Sequence, residues 1–168
     1  MAQWFKFSAA SVRNRKDAAS VEIVRAVAAG DPDALQDLYR RHSQELFVFI
    51  LRRLGDRQLT EATLQDVMLA VWRGAKKYRA DASVRTWLYS IAHRRVLSAM
   101  RKLPAKPVEF EPDFLQSEAA GPAHQAEFRR RAAIVQSAVR KLPEHQRLAI
   151  ELIYLHGLTG PEAARVLG

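Results

Sequence analysis

Four of the chain's seven prolines, Pro104, Pro107, Pro112 and Pro122, fall within nineteen residues that also hold Glu109, Glu111, Asp113 and Glu118. Proline lacks a backbone donor and clashes inside a helix, and clustered acids repel one another, so this stretch reads as a tether rather than a packed element. Its apolar points, Phe110, Phe114 and Leu115, are isolated docking contacts at most. A chain cut in this way folds as two bodies, and 168 residues leave room for two small ones. The charge follows the same division. Basic and acidic residues number four and one over 1–20, fifteen and nine over 21–103, one and four over 104–125, and seven and four over 126–168. Basic, acidic, basic is the pattern of two anion-binding bodies joined by an acidic linker.

Within the bodies no strand-like alternation persists, and the fold class is all-α. Val21 to Ala29 reads as a short amphipathic helix ended by Gly30. Asp31 then caps a second helix with Pro32 at its first position, and Leu35, Leu38, Tyr39, Leu46, Phe49, Ile50 and Leu54 mark its buried side up to Gly55-Asp56. A third helix, with Thr60 as the expected cap, repeats Leu64, Val67, Met68, Val71, Trp72 and Ala75 at three- and four-residue steps and runs to about Lys77. The loop Tyr78 to Ser83 leads to a fourth, with Val84, Trp87, Leu88, Ile91, Ala92 and Val96 inward. Beyond the linker, helices are expected over Gln125 to Lys141 and Glu144 to His156, the second stopped by Gly157. Thr159 and Glu162 then form a capping box opening another short helix. Helix, glycine turn and capped helix make the approach to a helix-turn-helix, whose recognition helix the sequence does not contain. Without it Ala163, Ala164, Val166 and Leu167 lack a packing partner, and a poorly ordered C-terminus is expected.

From Arg73 the charge becomes one-sided. Arg73, Lys76, Lys77, Arg79, Arg85, Arg94, Arg95, Arg101 and Lys102 face one acid, Asp81, with Tyr78, Trp87 and Tyr89 interleaved. Cations neutralise phosphates and aromatic faces stack unpaired bases, so the segment fits opened, single-stranded nucleic acid. The competing reading is a solvated basic helix whose Trp87 is core. The residue types exclude other chemistries more firmly. There is no cysteine, hence no disulfide, thiolate catalysis or Cys-based zinc site. His42, His93, His124, His145 and His156 are scattered without a recognised ligand spacing, and no Gly-rich phosphate loop or nucleophile elbow occurs. No cofactor or metal is expected, and no catalysis. No apolar run reaches the length of a membrane span, the first seventeen residues do not form a secretory signal, and the expected location is the cytoplasm. Residues 1–20 read as a basic tail in which Trp4, Phe5 and Phe7 stand beside Lys6, Arg13, Arg15 and Lys16.

Taken in order, "GDPDALQDLYRRHSQELFVFILRRLGD", "LQDVMLAVWR" and "VRTWLYSIAHRRVLSAMRK" resemble region 2 of the extracytoplasmic-function bacterial sigma factors, and "LPEHQRLAIELIYLHGLTGPEAARVLG" is similar to the start of their region 4. The resemblance implies a region 2 domain over 21–103, a linker over 104–125 and an incomplete region 4 domain over 126–168, apparently truncated. It implies a factor that binds core RNA polymerase, melts and reads the −10 promoter element, and is commonly restrained by an anti-sigma factor. Carried onto this chain, the polymerase-binding residues are Glu61, Gln65, Asp66, Leu69 and Trp72. The DNA-binding residues are Lys76, Lys77, Tyr78, Arg79, Arg85, Thr86, Trp87, Tyr89, Arg94 and Arg95, with Arg147 placed to touch backbone phosphate. The acidic linker would lie near the RNA path of polymerase.

The sequence departs from the family in three respects. Arg94 and Ser98 stand where Asn and often Asp are usual, replacing an amide that donates and accepts with a donor-only cation. Leu59 and Ala62 occupy positions that are often acidic, and the recognition helix is missing. The missing helix leaves a second reading open, a decoy that occupies polymerase or an anti-sigma factor without reading promoters.

Overall fold

The computed structural model describes residues 18–102, 133–135 and 137–168, and the chain divides into two compact units, Met1–Lys106 and Pro107–Gly168. The readings made for most of the tail, for the linker and for residues 125–132 lie outside the described residues. Among the described residues there is no strand.

The first unit holds helices α1 (18–29), α2 (Pro32–Leu54), α3 (Arg57–Gly74) and α4 (Val84–Met100), with a 3-10 turn at Ala75–Lys77. Local chemistry sets most of its boundaries. Gly30, at φ +94°, closes α1 as its N–H donates to Val27 O at 3.0 Å and that of Asp31 donates to Ala26 O at 3.1 Å. This pair of bonds satisfies carbonyls that the helix end would otherwise leave open, and glycine reaches that backbone region without steric cost. Asp31 at once starts α2, its carboxylate accepting from the N–H groups of Asp33 and Ala34 at 2.9 and 3.3 Å. The third helix begins earlier than expected. Asp56 is its cap, accepting from Leu59 N–H at 2.7 Å, and Thr60 lies inside the helix, fully buried, donating its hydroxyl to Asp56 O at 2.6 Å.

Helices α2, α3 and α4 pack on one another around Leu38, Leu46, Phe49, Ile50, Val67, Val71, Val84, Leu88, Tyr89 and Val96, all without exposed surface, and α1 adds Val24 and Val27. Each such side chain withdrawn from water contributes about 1.5–3 kcal/mol before entropy is charged against it. Two expected core residues are elsewhere: Tyr39 is 45% exposed and Trp72 is 36% exposed. Trp72 is one residue past the buried Val71, so it turns out of the core at the edge of the stripe.

In the second unit, α5 (described at 133–135 and 137–140) is followed by α6 (Glu144–Tyr154) and α7 (Gly160–Leu167). Leu148, Leu152, Leu158, Ala163 and Val166 form its buried seam. The C-terminal segment is therefore not loose: α7 packs on α6 through Ala163 and Val166, and the capping box closes its start. Thr159 N–H and hydroxyl both meet Glu162 Oε2 at 2.8 Å, and Glu162 N–H donates to Thr159 Oγ1 at 3.4 Å. Short as it is, the helix gains more from that cap and seam than from propensity. Buried Glu151 and His156 face each other across the end of α6, Oε1 to Nε2 at 3.5 Å.

Candidate nucleic-acid and partner interfaces

Two faces of the first unit carry groups that the fold does not require. One is the outer side of α3. Thr60, Thr63, Leu64, Val67, Met68 and Val71 point into the unit, so by helical spacing Leu69, Gln65 and Asp66 stand on the far side, with Trp72 and Glu61 flanking. Leu69 is 52% exposed, and an apolar side chain there serves no internal packing. Glu61 is paired to Arg57 Nε at 3.0 Å along the helix, a solvated ion pair of little energetic weight. Beside this face an open groove of about 450 Å³ is lined by Pro32, Asp33, Leu35, Gln36, Tyr39 and Met68. Tyr39 and the groove were not found from the sequence, because the period of α2 places Tyr39 next to Leu38 and reads it as core.

The other face is the turn between α3 and α4. Lys76, Lys77 and Arg79 are exposed there. Tyr78 and Trp87 are half-buried with ring centroids 4.9 Å apart at 38°, and Trp87 lies against Gly74. The Tyr78 hydroxyl donates to Ala82 O at 2.7 Å, folding the loop back on itself. Ala80 sits at φ +59°, the one non-glycine residue among those described with positive φ. Held there against a cost of about 1–2 kcal/mol, it marks a loop whose shape is imposed by its surroundings. Arg94, seven residues or about two turns after Trp87, is exposed on the same side of α4, with Arg95 beside it.

Three residues assigned to DNA from sequence are placed differently. Tyr89 has no exposed surface and packs edge-on to Phe49, centroids 5.1 Å apart at 87°, so a base cannot reach its ring. Thr86 is 1% exposed and belongs to the cap of α4: its N–H donates to Ser83 Oγ at 3.2 Å, and the two hydroxyls lie 2.7 Å apart. Arg85 turns inward, its Nη2 donating to Glu45 Oε2 at 2.5 Å. His42 Nδ1 donates to the other Glu45 oxygen at 2.7 Å. Burial pushes the Glu45 carboxyl up, but the His42 hydrogen bond and the Arg85 charge outweigh it and hold it below its ordinary value. Arg147 is half-buried on α6 in the second unit.

Among the described residues no group of three or more His, Asp or Glu side chains is arranged to hold a metal ion. No described helix is long and apolar enough to cross a membrane. The arrangement suits recognition: an acidic and apolar helix face for a protein, and a basic turn with an aromatic pair for bases.

The chain is similar to known proteins over most of its length. Residues 38–104 match sigma-70 region 2, and residues 132–168 match sigma-70 region 4. The extracytoplasmic-function RNA polymerase sigma factor SigM of Mycobacterium tuberculosis is 35% identical over 156 residues, covering 92% of this chain and 76% of SigM. SigK of Mycobacterium bovis is 32% identical over 152 residues, covering 86% of this chain and 80% of SigK. Among solved structures, that of CnrH in complex with the cytosolic domain of CnrY aligns with a TM-score of 0.58 at 28% identity, over 89% of this chain and 83% of that one.

Proposed function

The chain belongs to the extracytoplasmic-function sigma factors, the alternative sigma factors of transcription initiation, and on that footing we propose how its residues divide the work. The outer face of α3 docks on core RNA polymerase. Leu69 and Trp72 supply the apolar contact, Gln65 and Asp66 the polar and charged ones, and Glu61 the edge. Tyr39 and the adjoining groove extend that footprint onto α2. The single observation that carries this reading is Leu69, apolar and half exposed on the side of α3 opposite the core.

The turn and the start of α4 take the opened −10 strand. Flipping a base out of the duplex costs a few kcal/mol, and stacking on an aromatic ring returns about 1–3 kcal/mol of it. Tyr78 and Trp87 provide the rings, while Lys76, Lys77, Arg79, Arg94 and Arg95 track phosphates and base edges. Arg94 in place of an amide favours acceptor-rich edges such as those of guanine. Arg147 contributes a phosphate contact from the second unit. The protein itself performs no bond-making chemistry; that belongs to polymerase. It works in the cytoplasm and is held in check by a protein partner, as CnrH is found in complex with CnrY.

The test is binding to purified bacterial core polymerase by the wild type and by a D66R/L69E double variant. Tight binding lost in a variant of unchanged melting temperature supports the assignment. Equal binding by both overturns it, and a chain that binds polymerase yet fails to direct transcription from any opened promoter is a decoy.

A further inference from the structure

Arg85 stands in the second position of α4, amid residues that face DNA, yet its guanidinium is committed elsewhere. It donates to Glu45 on α2, forty residues away in sequence, and its Cζ lies 5.9 Å from the Tyr89 ring. One turn further along both helices Tyr89 meets Phe49. Glu45 and Phe49 are a turn apart on α2, and Arg85 and Tyr89 a turn apart on α4. The two pairs form a short zipper that fixes the rotation of α4 about its own axis. Trp87 is midway between Arg85 and Tyr89 in sequence and so points away from α2, where it meets Tyr78 and Gly74. Rotation of α4 is what aims Trp87.

We propose that Glu45 and Arg85 are positioning residues for base capture: Arg85 does not touch DNA, but its ion pair with Glu45 sets the rotation of α4 that presents Trp87 to the opened strand. This rests on the reading of Tyr78 and Trp87 as the base-stacking pair. Three observations favour a brace over a phosphate contact. The Arg85 side chain is only 33% exposed, and its Nε is buried. Glu45 is itself 25% exposed and anchored on its other side by His42. A phosphate that drew Arg85 away would leave a largely buried carboxylate without its cation, an unfavourable exchange.

The experiment uses holoenzyme reconstituted from core polymerase and the full chain, with a fluorescent single-stranded −10 oligonucleotide titrated at several salt concentrations. E45Q and R85Q should each weaken binding by about tenfold, within what one lost base stack gives. The E45Q/R85Q double variant should be no weaker than either single one, and R85K should recover part of the loss. In all of them the slope of log K against log salt stays that of the wild type. A slope reduced by about 0.7 in R85Q, the signature of one lost phosphate contact to a single strand, overturns the proposal, as does tighter binding by E45Q. A second readout needs no DNA: in the free chain, E45Q and R85Q should shift the Trp87 indole N–H resonance alike and leave that of Trp72 in place. An unmoved Trp87 resonance also overturns it. If the wild-type holoenzyme ignores the oligonucleotide while both variants move Trp87, the brace stands as a structural fact and the base-capture reading fails.

Discussion

Trp87 and Tyr89 stand two residues apart on one helix, are chemically alike, and are expected to fail in opposite ways when truncated. Tyr89 has no exposed surface and fills the space between α2 and α4 against Phe49. Replacing a large buried aromatic by alanine costs about 3–5 kcal/mol, against a total stability of about 5–15 kcal/mol for a domain. In a unit of this size each kcal/mol moves the melting temperature by about 4–8 °C, so Y89A should melt at least about 12 °C below the wild type. Whatever DNA binding it loses should scale with the unfolded fraction. Trp87 is half-buried and touches the Tyr78 ring and Gly74 at the surface. W87A should lower the melting temperature by less than half as much. It should weaken binding of a single-stranded −10 oligonucleotide by about 5- to 150-fold, the equivalent of one base stack of about 1–3 kcal/mol. Thermal melts of the free chain and anisotropy titrations of the holoenzyme at one salt concentration separate the two. Selective loss of oligonucleotide affinity in Y89A at unchanged melting temperature would refute the assignment of Tyr89 to the core. A large thermal loss in W87A with intact affinity would refute the assignment of Trp87 to the strand.

Glu45 gives a pH dependence with a definite sign. Its folded carboxyl is held below its ordinary value, burial being outweighed by the His42 hydrogen bond and the Arg85 charge, so these contacts stabilise the unit above that ordinary value and are lost as pH falls through the lowered folded one. Acid titration of urea midpoints should show this loss in the wild type and a flatter curve in E45Q. At Ala80, held at φ +59°, A80G should be neutral or stabilising by up to about 1 kcal/mol, whereas A80V should destabilise, a β-branched side chain being strained there; urea denaturation reads both. T159A removes the hydroxyl half of the capping box, the Thr159 Oγ1 bonds to Glu162, and should destabilise the second unit by about 1 kcal/mol, seen as faster amide exchange in α7.

What the sequence made legible was mostly what is decided within a few residues. Gly30, Asp31 and Pro32 end one helix and begin the next through bonds no longer than a turn, and Thr159 with Glu162 does the same for α7. Thr60 is ambiguous in the sequence for a related reason. Either Thr60 or Asp56 can cap a helix, and the choice went to Asp56 because Thr60 is needed inside, under the packed side of α3. The aromatic residues were harder. Helix α4 packs on both α2 and α3, so its buried arc takes in Val84, Thr86, Leu88, Tyr89, Ile91, Ala92 and Val96, too wide for any simple period to separate core from surface. Tyr39 and Trp72 each adjoin a buried residue at the border of a stripe, where periodicity cannot decide. Arg85 was out of reach altogether, since its partner is forty positions away and only the fold brings them together.

These placements bear on how so small a unit does two jobs. The α3 face and the α4 turn share one core, and the residues that point outward do so because their neighbours one or two positions away point in. Leu69 is exposed because Met68 and Val71 are buried, and half-buried Trp87 faces away from α2 because Arg85 and Tyr89 are tied to it. Arg73 to Lys77 is the short bridge between the two faces: α3 ends at Gly74, and the 3-10 turn at Ala75–Lys77 carries Lys76 and Lys77 directly from the proposed polymerase contact to the proposed base-binding pair. Buried Ala75 pins that turn to the core, so a protein docked on α3 fixes the lysines as well. Substituting Ala75 by a larger residue should therefore weaken both polymerase and oligonucleotide binding when the two are titrated side by side, which is the behaviour expected of a unit whose two surfaces are positioned by one set of buried side chains.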